Sequence, residues 1–252
     1  MKQPRRRLDQ MLLDRGMVES REKAKALILA GQVLVAGQRV DKAGAPVSED
    51  AAIELLEQLP YVSRGGYKLA GALDGFGIDV GGLVCVDIGA STGGFTDCLL
   101  QRGAARVHAV DVGKGQLHWK LRTDPRVVLH EGVNARYLEP SLIGEPAGFA
   151  CFDVSFISAT LILPVAASVL SSPRRLVVLV KPQFEARRED VGKGGIVRDE
   201  RVREAACQRV RAAAAELGLE SRLMQSPISG AEGNIEYLLY GFDPDRRSHL
   251  EA

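Results

Sequence analysis

Four ionisable residues have the types and positions needed to move a proton at a hydroxyl group: Lys68, Asp153, Lys181 and Glu236. One lysine can accept the proton that an attacking hydroxyl loses, and the other can stabilise the negative charge developing on its oxygen. The two carboxylates would hold the amines in place. This set suits methyl transfer to a ribose hydroxyl, which is a poor nucleophile. Taken one at a time, each residue is explained equally well as half of a structural salt bridge.

A glycine-rich turn provides a candidate cofactor site. The segment VDIGASTGGFTDCLL, from Val86 to Leu100, reads as an apolar strand that ends in Asp87 and passes through the turn into a helix. Glycines in such a turn let backbone N–H groups approach a ligand. The spacing matches neither GxGxxG nor a P-loop. A tight turn without any ligand is the alternative.

Two further polar residues follow predicted strands, as Asp87 does. Asp111 ends the next strand, about 20 residues on, where nucleotide-binding α/β folds place an acid on the ribose hydroxyls. Asn134 follows the third strand and is a candidate contact for adenine. Since open parallel sheets bind ligands at the carboxyl ends of their strands, this set favours a nucleoside-containing ligand over an empty turn.

Strands and helices alternate after Tyr67 and position these residues. Strands are predicted at 83–88, 107–110, 127–129, 148–154, 175–180 and 236–242, and helices over 158–170 and 198–217. Lys68 opens a helix before the first strand, Asp153 and Lys181 end the fourth and fifth strands, and Glu236 begins the last. The pattern predicts an α/β, Rossmann-like, mostly parallel sheet over residues 67–245.

Residues 1–59 form a separate pattern, which predicts a small α+β domain joined by a linker over residues 60–66. Two helices end near Gly16 and Gly31, with Ser20 as the N-cap of the second, and short strands follow at 32–35, 39–40 and 52–56. The first 25 residues hold eight Lys or Arg against four Asp or Glu. A phosphate-binding face and an ordinary solvated surface both fit these charges.

Candidate RNA contacts occur in two places. In the small domain they are Arg5, Arg6, Arg7, Arg21, Lys23 and Lys25. In the glycine-rich loop 186–198, a possible lid or surface loop, they are Arg187, Arg188 and Lys193.

The composition is that of a soluble globular protein, with 46% hydrophobic residues and a net charge of +1. The four cysteines have no metal-binding spacing, so a reducing compartment is favoured and no metal is expected. Neither a signal peptide nor a membrane-spanning segment is evident. We therefore predict a cytoplasmic protein, and nothing in the sequence requires more than a monomer.

Taken together, SRGGYKLAGAL (63–73), DIGASTGGFTDCLL, DVGKGQL (111–117), DVSFIS, LVKPQFE and GNIEY resemble the TlyA family of bacterial ribosomal-RNA methyltransferases. Its members join a small RNA-binding domain, like that of the fourth small-subunit ribosomal protein, to an FtsJ-like methyltransferase domain. The resemblance implies 2′-O-methylation of cytidines in ribosomal RNA or ribosomal subunits, with S-adenosylmethionine as cofactor and the four residues above as the catalytic tetrad. The cofactor-binding residues it implies are Asp87, Gly89, Ala90, Ser91, Thr92, Gly93, Gly94, Phe95, Asp111, Asn134 and Asp153.

Two other functions stay open at this stage. One is a non-catalytic RNA-binding or ribosome-assembly factor, against which the complete Lys/Asp/Lys/Glu set argues. The other is a membrane-active hemolysin, a label that the family has carried, although no amphipathic or spanning segment supports it. Phe156, just after Asp153, is either a neighbour of the cofactor or nucleoside or a core residue.

Overall fold

The computed structural model describes residues 5–29, 31–55, 60–230 and 233–244. The chain divides into two compact units, Met1–Leu59 and Pro60–Ala252. Some predicted features lie outside the described residues. They are the domain ends at 59 and 245, the last residue of the strand predicted at 52–56, and the tail from residue 245.

The described part of the first unit contains two helices and two small sheets. Its elements are β1 (Arg5–Arg7), α1 (Leu8–Asp14), α2 (Arg21–Leu29), β2 (Val33–Val35), β3 (Gln38–Arg39), β4 (Pro46–Ser48) and β5 (Ile53–Leu55). β1 pairs antiparallel with β4, and the other three strands lie in the order β3-β2-β5. The predicted cap of α2 is present, because the N–H of Lys23 donates to Ser20 Oγ at 3.1 Å.

The second unit is built on a seven-stranded sheet. Its strands are β6 (Val84–Ile88), β7 (Arg106–Asp111), β8 (Val127–Glu131), β9 (Phe149–Phe152), β10 (Arg175–Val180), β11 (Glu220–Gln225) and β12 (Tyr237–Phe242). They lie in the order β11-β12-β10-β9-β6-β7-β8, and only β12 runs antiparallel to its neighbours. The helices are α3 (Gly65–Phe76), α4 (Gly94–Gln101), α5 (Trp119–Arg122), α6 (Pro140–Ile143), α7 (Leu163–Ser168), α8 (Pro182–Glu185) and α9 (Glu200–Glu216), with 3-10 turns at Ala135–Tyr137, Ala159–Leu161 and Arg188–Asp190.

Both faces of this sheet are covered, so its central strands consist mainly of buried apolar residues. Alternate residues of a strand point to opposite faces. Cys85 and Val107 pack with α3 and α4 on one face, whereas Val86, Val110 and Val178 pack with α7 and α9 on the other. This is the predicted mostly parallel sheet with helices on both sides.

The structure corrects three parts of the sequence analysis. The run Arg5–Arg7 is a strand, and β11 is a strand that no pattern had indicated. The predicted linker, residues 60–66, belongs to the second unit, where Tyr61 and Val62 pack against the core and α3 begins at Gly65. Within the described ranges, no helix has both the length and the apolar character needed to cross a membrane.

Candidate active site

The turn between β6 and α4 lies at the carboxyl end of the central strand and bends sharply. Gly89, Ser91 and Gly93 all have positive φ, at +83°, +48° and +96°. The N–H of Gly89 donates to the carbonyl of Val110 at 2.8 Å, which fixes the turn to β7. A Cβ on Gly89 would lie 2.5 Å from the carbonyl oxygen of Asp153, so the turn and the segment after β9 approach too closely for any side chain. Glycine is therefore required here for steric and conformational reasons.

Asp87 lies behind this turn and not at its surface. Its side chain is fully buried and accepts a hydrogen bond of 2.6 Å from the hydroxyl of Thr96. The pKa of Asp87 is raised to about 7, mainly by burial; the Thr96 hydrogen bond opposes this rise, and the Asp153 carboxylate adds to it. Asp87 is thus placed to hold α4 against β6, and the structure does not bring it to the cleft as a direct cofactor contact.

Asp111 ends β7, and Asn134 lies three residues after the end of the neighbouring strand β8. The Asp111 carboxylate accepts 2.7 Å hydrogen bonds from the N–H groups of Ser91 and Gly113, and so ties the glycine-rich turn to the next loop. Its own carbonyl accepts from the N–H of Val133 at 3.0 Å. Asn134 is exposed, and its Oδ1 accepts from the N–H of Arg136 at 3.0 Å, whereas its amide NH₂ donates to no group of the described residues.

An open cleft of about 380 Å³ runs beside the turn. Among the predicted residues, the cleft is lined by Gly89, Ala90, Ser91, Thr92, Gly94 and Phe95 of the turn and by Lys68, Asp153 and Lys181. The remaining lining residues were not predicted: Ser63, Arg64, Gly65, Ser155, Ser229 and Gly230. Backbone N–H groups, hydroxyls and two amines therefore converge on one opening.

The four tetrad residues form two ion pairs at this cleft. Lys68 Nζ lies 2.5 Å from Glu236 Oε2, and Lys181 Nζ lies 2.5 Å from Asp153 Oδ1. Lys181 also donates to Ser155 Oγ at 2.9 Å. The Glu236 side chain is only 2% exposed, whereas that of Asp153 is 23% exposed. The carboxylates of the two pairs thus differ in solvent access. The residues of the pairs come from segments that are far apart in the sequence, from Lys68 to Glu236.

Comparison with known proteins identifies the family of each unit. Residues 61–242 match the family of FtsJ-like methyltransferases, and residues 6–53 match the S4 domain. Over 239 residues the chain is 46% identical to "16S/23S rRNA (cytidine-2'-O)-methyltransferase TlyA" of Mycobacterium tuberculosis, covering 94% of this chain and 89% of that protein.

This chain belongs to the TlyA family. A second relative, "Hemolysin A" of Brachyspira hyodysenteriae, is 46% identical and covers 93% of this chain and 98% of its own length. A solved structure of a hemolysin-named protein from Streptococcus thermophilus is also 46% identical, with a TM-score of 0.73, and covers 96% of this chain and 90% of that one. Membership makes this chain an S-adenosylmethionine-dependent methyltransferase with an S4 domain.

Small residues explain how this TlyA-family cleft is assembled. A Cβ on Gly94 would lie 2.3 Å from Ser63 Oγ and 2.9 Å from the backbone nitrogen of Gly66, so α3 and α4 pack almost backbone to backbone. A Cβ on Gly230 would lie 2.0 Å from Glu236 Oε1, so that glycine makes room for the carboxylate. The glycines in SRGG and in the turn are visible in the sequence, and they indicate that backbone segments pack closely. Only the fold shows which elements those are.

The structure divides the predicted RNA contacts of the S4 domain. Arg7 and Arg21 both bond the buried Asp9, and the hydrogen bond from Arg7 lowers the pKa of Asp9 to about 2. Arg6 pairs with Asp14 at 2.5 Å. Arg5, Lys23 and Lys25 are exposed, and no carboxylate of the described residues lies within ion-pair distance of them. Three of the six cations are thus already neutralised by their own domain.

The loop after α8 keeps its predicted cations at the surface. Arg187, Arg188 and Lys193 are all exposed. Asn234, which is 5% exposed, fastens the end of this loop, since its Nδ2 donates to the carbonyl of Gly195 at 2.9 Å and its Oδ1 accepts from the N–H of Val197 at 3.1 Å.

Phe156 is 92% exposed, so it is not a core residue, and Trp119 is 71% exposed.

Proposed function

We propose that this protein transfers a methyl group from S-adenosylmethionine to the 2′-hydroxyl of cytidine in ribosomal RNA. The observation that carries the proposal is the two Lys–carboxylate contacts at the cleft beside the glycine-rich turn. The 46% identical relative from Mycobacterium tuberculosis, named a cytidine-2′-O-methyltransferase of 16S and 23S rRNA, supports the substrate. Ribosomal RNA as substrate places the reaction in the cytoplasm.

The residues of the turn fit a bound nucleoside-containing cofactor. Positive φ at Gly89 and Gly93 exposes backbone at the start of α4, and the Asp111 carboxylate stands at the adjacent strand end. Asp111 and the amide of Asn134 would hold the ribose and adenine. When bound, S-adenosylmethionine supplies the electrophilic methyl group. Asp87 acts from behind, through Thr96 and the packing of α4.

The unequal burial of the two ion pairs assigns different work to the two lysines. Loss of the charge on Lys68 would leave the 2% exposed Glu236 carboxylate without a counter-ion, which is costly in a buried site. We therefore assign to Lys68 the stabilisation of the charge that develops on the ribose oxygen. We assign the second role, acceptance of the hydroxyl proton, to Lys181, whose amine lies in the cleft beside Asp153 Oδ1 and Ser155 Oγ. Ser155 and Asp153 orient its amine.

Methyl transfer from labelled S-adenosylmethionine tests the proposed function. Small and large ribosomal subunits, and naked rRNA, that lack the modification are incubated separately with the pure protein. We expect label in rRNA that resists alkali at a single linkage, because a 2′-O-methyl group blocks cleavage there. Measurable cofactor binding with no label in any of these substrates would contradict the proposal and favour a non-catalytic RNA-binding factor.

We also propose that the S4 domain holds RNA phosphates through Arg5, Lys23 and Lys25. Exchanging Lys23 and Lys25 for alanine should weaken rRNA binding several-fold and lower the slope of log Kd against log salt by about 1 for each lysine removed. Filter binding or anisotropy between low and high salt measures both quantities. The double exchange to arginine keeps the charges and is the matched control. Equal affinity and equal slope for the alanine variant would place the RNA surface elsewhere.

A further inference from the structure

Glu185 is a buried carboxylate that the proposed chemistry does not use. It closes α8, four residues after Lys181, and is 3% exposed. Its Oε2 accepts from the Ser158 hydroxyl at 2.6 Å, and its Oε1 accepts from the N–H of Ala159 at 2.6 Å. No Lys, Arg or His side chain of the described residues forms an ion pair with it.

The partners of Glu185 belong to the segment that carries the other half of an ion pair. Ser158 and Ala159 follow Asp153 by five and six residues, while Glu185 follows Lys181 by four. One side chain therefore joins the segments after β9 and β10, at whose starts Asp153 and Lys181 meet at 2.5 Å. The carbonyl of Glu185 accepts from Arg209 of α9, which fixes the carboxylate from the other side.

Backbone strain lies between the two tie points. Phe156 has φ +66°, in the left-handed region that a residue with a Cβ adopts only when its surroundings enforce it. Its side chain is 92% exposed, and its ring centroid lies 5.2 Å from that of Phe184. The hydrogen bond from the N–H of Asp153 to Ile88 holds one end of the strained segment, and Glu185 holds the other.

A neutral side chain would cap the 3-10 turn at 159–161 at lower cost. A buried carboxylate without a cation is expensive, and its retention requires strong hydrogen bonds to the charged form. Both oxygens of Glu185 accept those bonds from Ser158 and Ala159, in the segment that follows Asp153. These two hydrogen bonds hold the segment in which Ser155 and Asp153 face the Lys181 amine.

We propose that Glu185 is a positioning residue for methyl transfer, which sets the register between the Asp153 and Lys181 segments. The inference rests on the proposed function. Glu185 acts through Lys181 and does not touch the substrate. Release of the tie lets the strained segment relax and moves Ser155 and Asp153 away from the amine that accepts the proton. Displacement of this kind by about 1 Å can cost up to about 100-fold in rate.

The test compares Glu185→Ala, Glu185→Gln and Asp243→Ala in the full chain. Asp243 is the matched control, since it is a half-buried carboxylate that accepts from the backbone N–H of Arg174 at the opposite end of β10. We expect Glu185→Ala to lower kcat about 10- to 100-fold with the Kd for S-adenosylmethionine unchanged within about twofold. The glutamine variant should recover most of kcat, because its amide oxygen still accepts from Ala159 and its NH₂ can donate to Ser158. Asp243→Ala should lower the Tm without lowering kcat.

Two further readouts separate a positioning role from a purely structural one. The pH profile of kcat should shift in Glu185→Ala, because the environment of Lys181 changes, and amide exchange at Ala159 should speed up. Ser158→Ala removes the hydrogen bond from the Ser158 hydroxyl to Glu185, and it is the variant to measure if Glu185→Ala does not fold. Its loss of kcat should be smaller, because the bond from Ala159 remains. Unchanged kcat and pH profile in these variants, or an equal kcat loss in Asp243→Ala, would overturn the inference. Absence of methyl transfer by the unaltered protein would instead refute the proposed function.

Discussion

Exchanging Lys181 for alanine is expected to lower kcat for rRNA methylation by about 10²–10⁴-fold, the range of a positioned general acid or base. The amine meets both Asp153 Oδ1 and Ser155 Oγ, which hold it in the cleft as the proposed proton acceptor. The Kd for S-adenosylmethionine should change little, since the glycine-rich turn and Asp111 are untouched. Single-turnover methylation at saturating cofactor and RNA measures the rate constant of methyl transfer itself, free of product release, and should show the same loss.

The dependence on pH distinguishes Lys181 from Lys68. If Lys181 accepts the proton, the rising limb of the kcat profile should be lost in Lys181→Ala and kept in Lys68→Ala, where charge stabilisation alone is removed. Lys120→Ala is the matched control, as its side chain is 58% exposed and does not line the cleft. A rising limb that persists in Lys181→Ala and vanishes in Lys68→Ala would exchange the two roles.

Long apolar strands were predictable from the sequence because both faces of the sheet are buried. A strand such as β10 has five consecutive buried residues, which leaves the apolar run unmistakable. β11 escaped prediction because it is an edge strand whose residues alternate between exposed and half-buried, and its sequence ESRLMQ holds a single short apolar pair. The three arginines of β1 have no apolar period at all, and pairing with β4 alone makes them a strand.

The ionisable residues of the candidate cleft could be named from the sequence, but their pairing could not. Strand ends and chemistry identified Lys181 and Asp153, yet nothing in the sequence says which lysine meets which carboxylate across a separation of 168 residues, as Lys68 and Glu236 do. Asp87 shows that the direction of a predicted side chain could not be read from the sequence. It ends a strand as expected, but the pleat turns its side chain into the core towards Thr96, and the direction of a single side chain depends on register that only the fold defines.

Exchanging Gly89 for alanine is expected to abolish high-affinity binding of S-adenosylmethionine, raising its Kd about tenfold or more, which corresponds to at least about 1.4 kcal/mol. Two effects add at this position. A side chain at φ +83° costs about 1–3 kcal/mol, and the new Cβ would lie 2.5 Å from the backbone oxygen of Asp153, which cannot rotate away. Relief of the clash must move either the turn or the Asp153 segment, so kcat should fall as well. Calorimetric titration and thermal unfolding measure affinity and stability.

Gly82→Ala isolates the conformational part of this effect. Gly82 lies in the same unit between α3 and β6, has φ +72°, and a Cβ there would have no atom within 4 Å. Its alanine variant should therefore lose about 1 kcal/mol of stability, as left-handed backbone costs a residue with a Cβ, while it binds S-adenosylmethionine normally. If Gly82→Ala and Gly89→Ala were to lose equal stability and both kept their affinity, the approach of Asp153 to the turn would have no bearing on the cofactor. A loss of affinity confined to Gly89→Ala would instead tie cofactor binding to the backbone of the segment that carries Asp153, and so join the methyl-donor site to the proton-transfer site through one glycine.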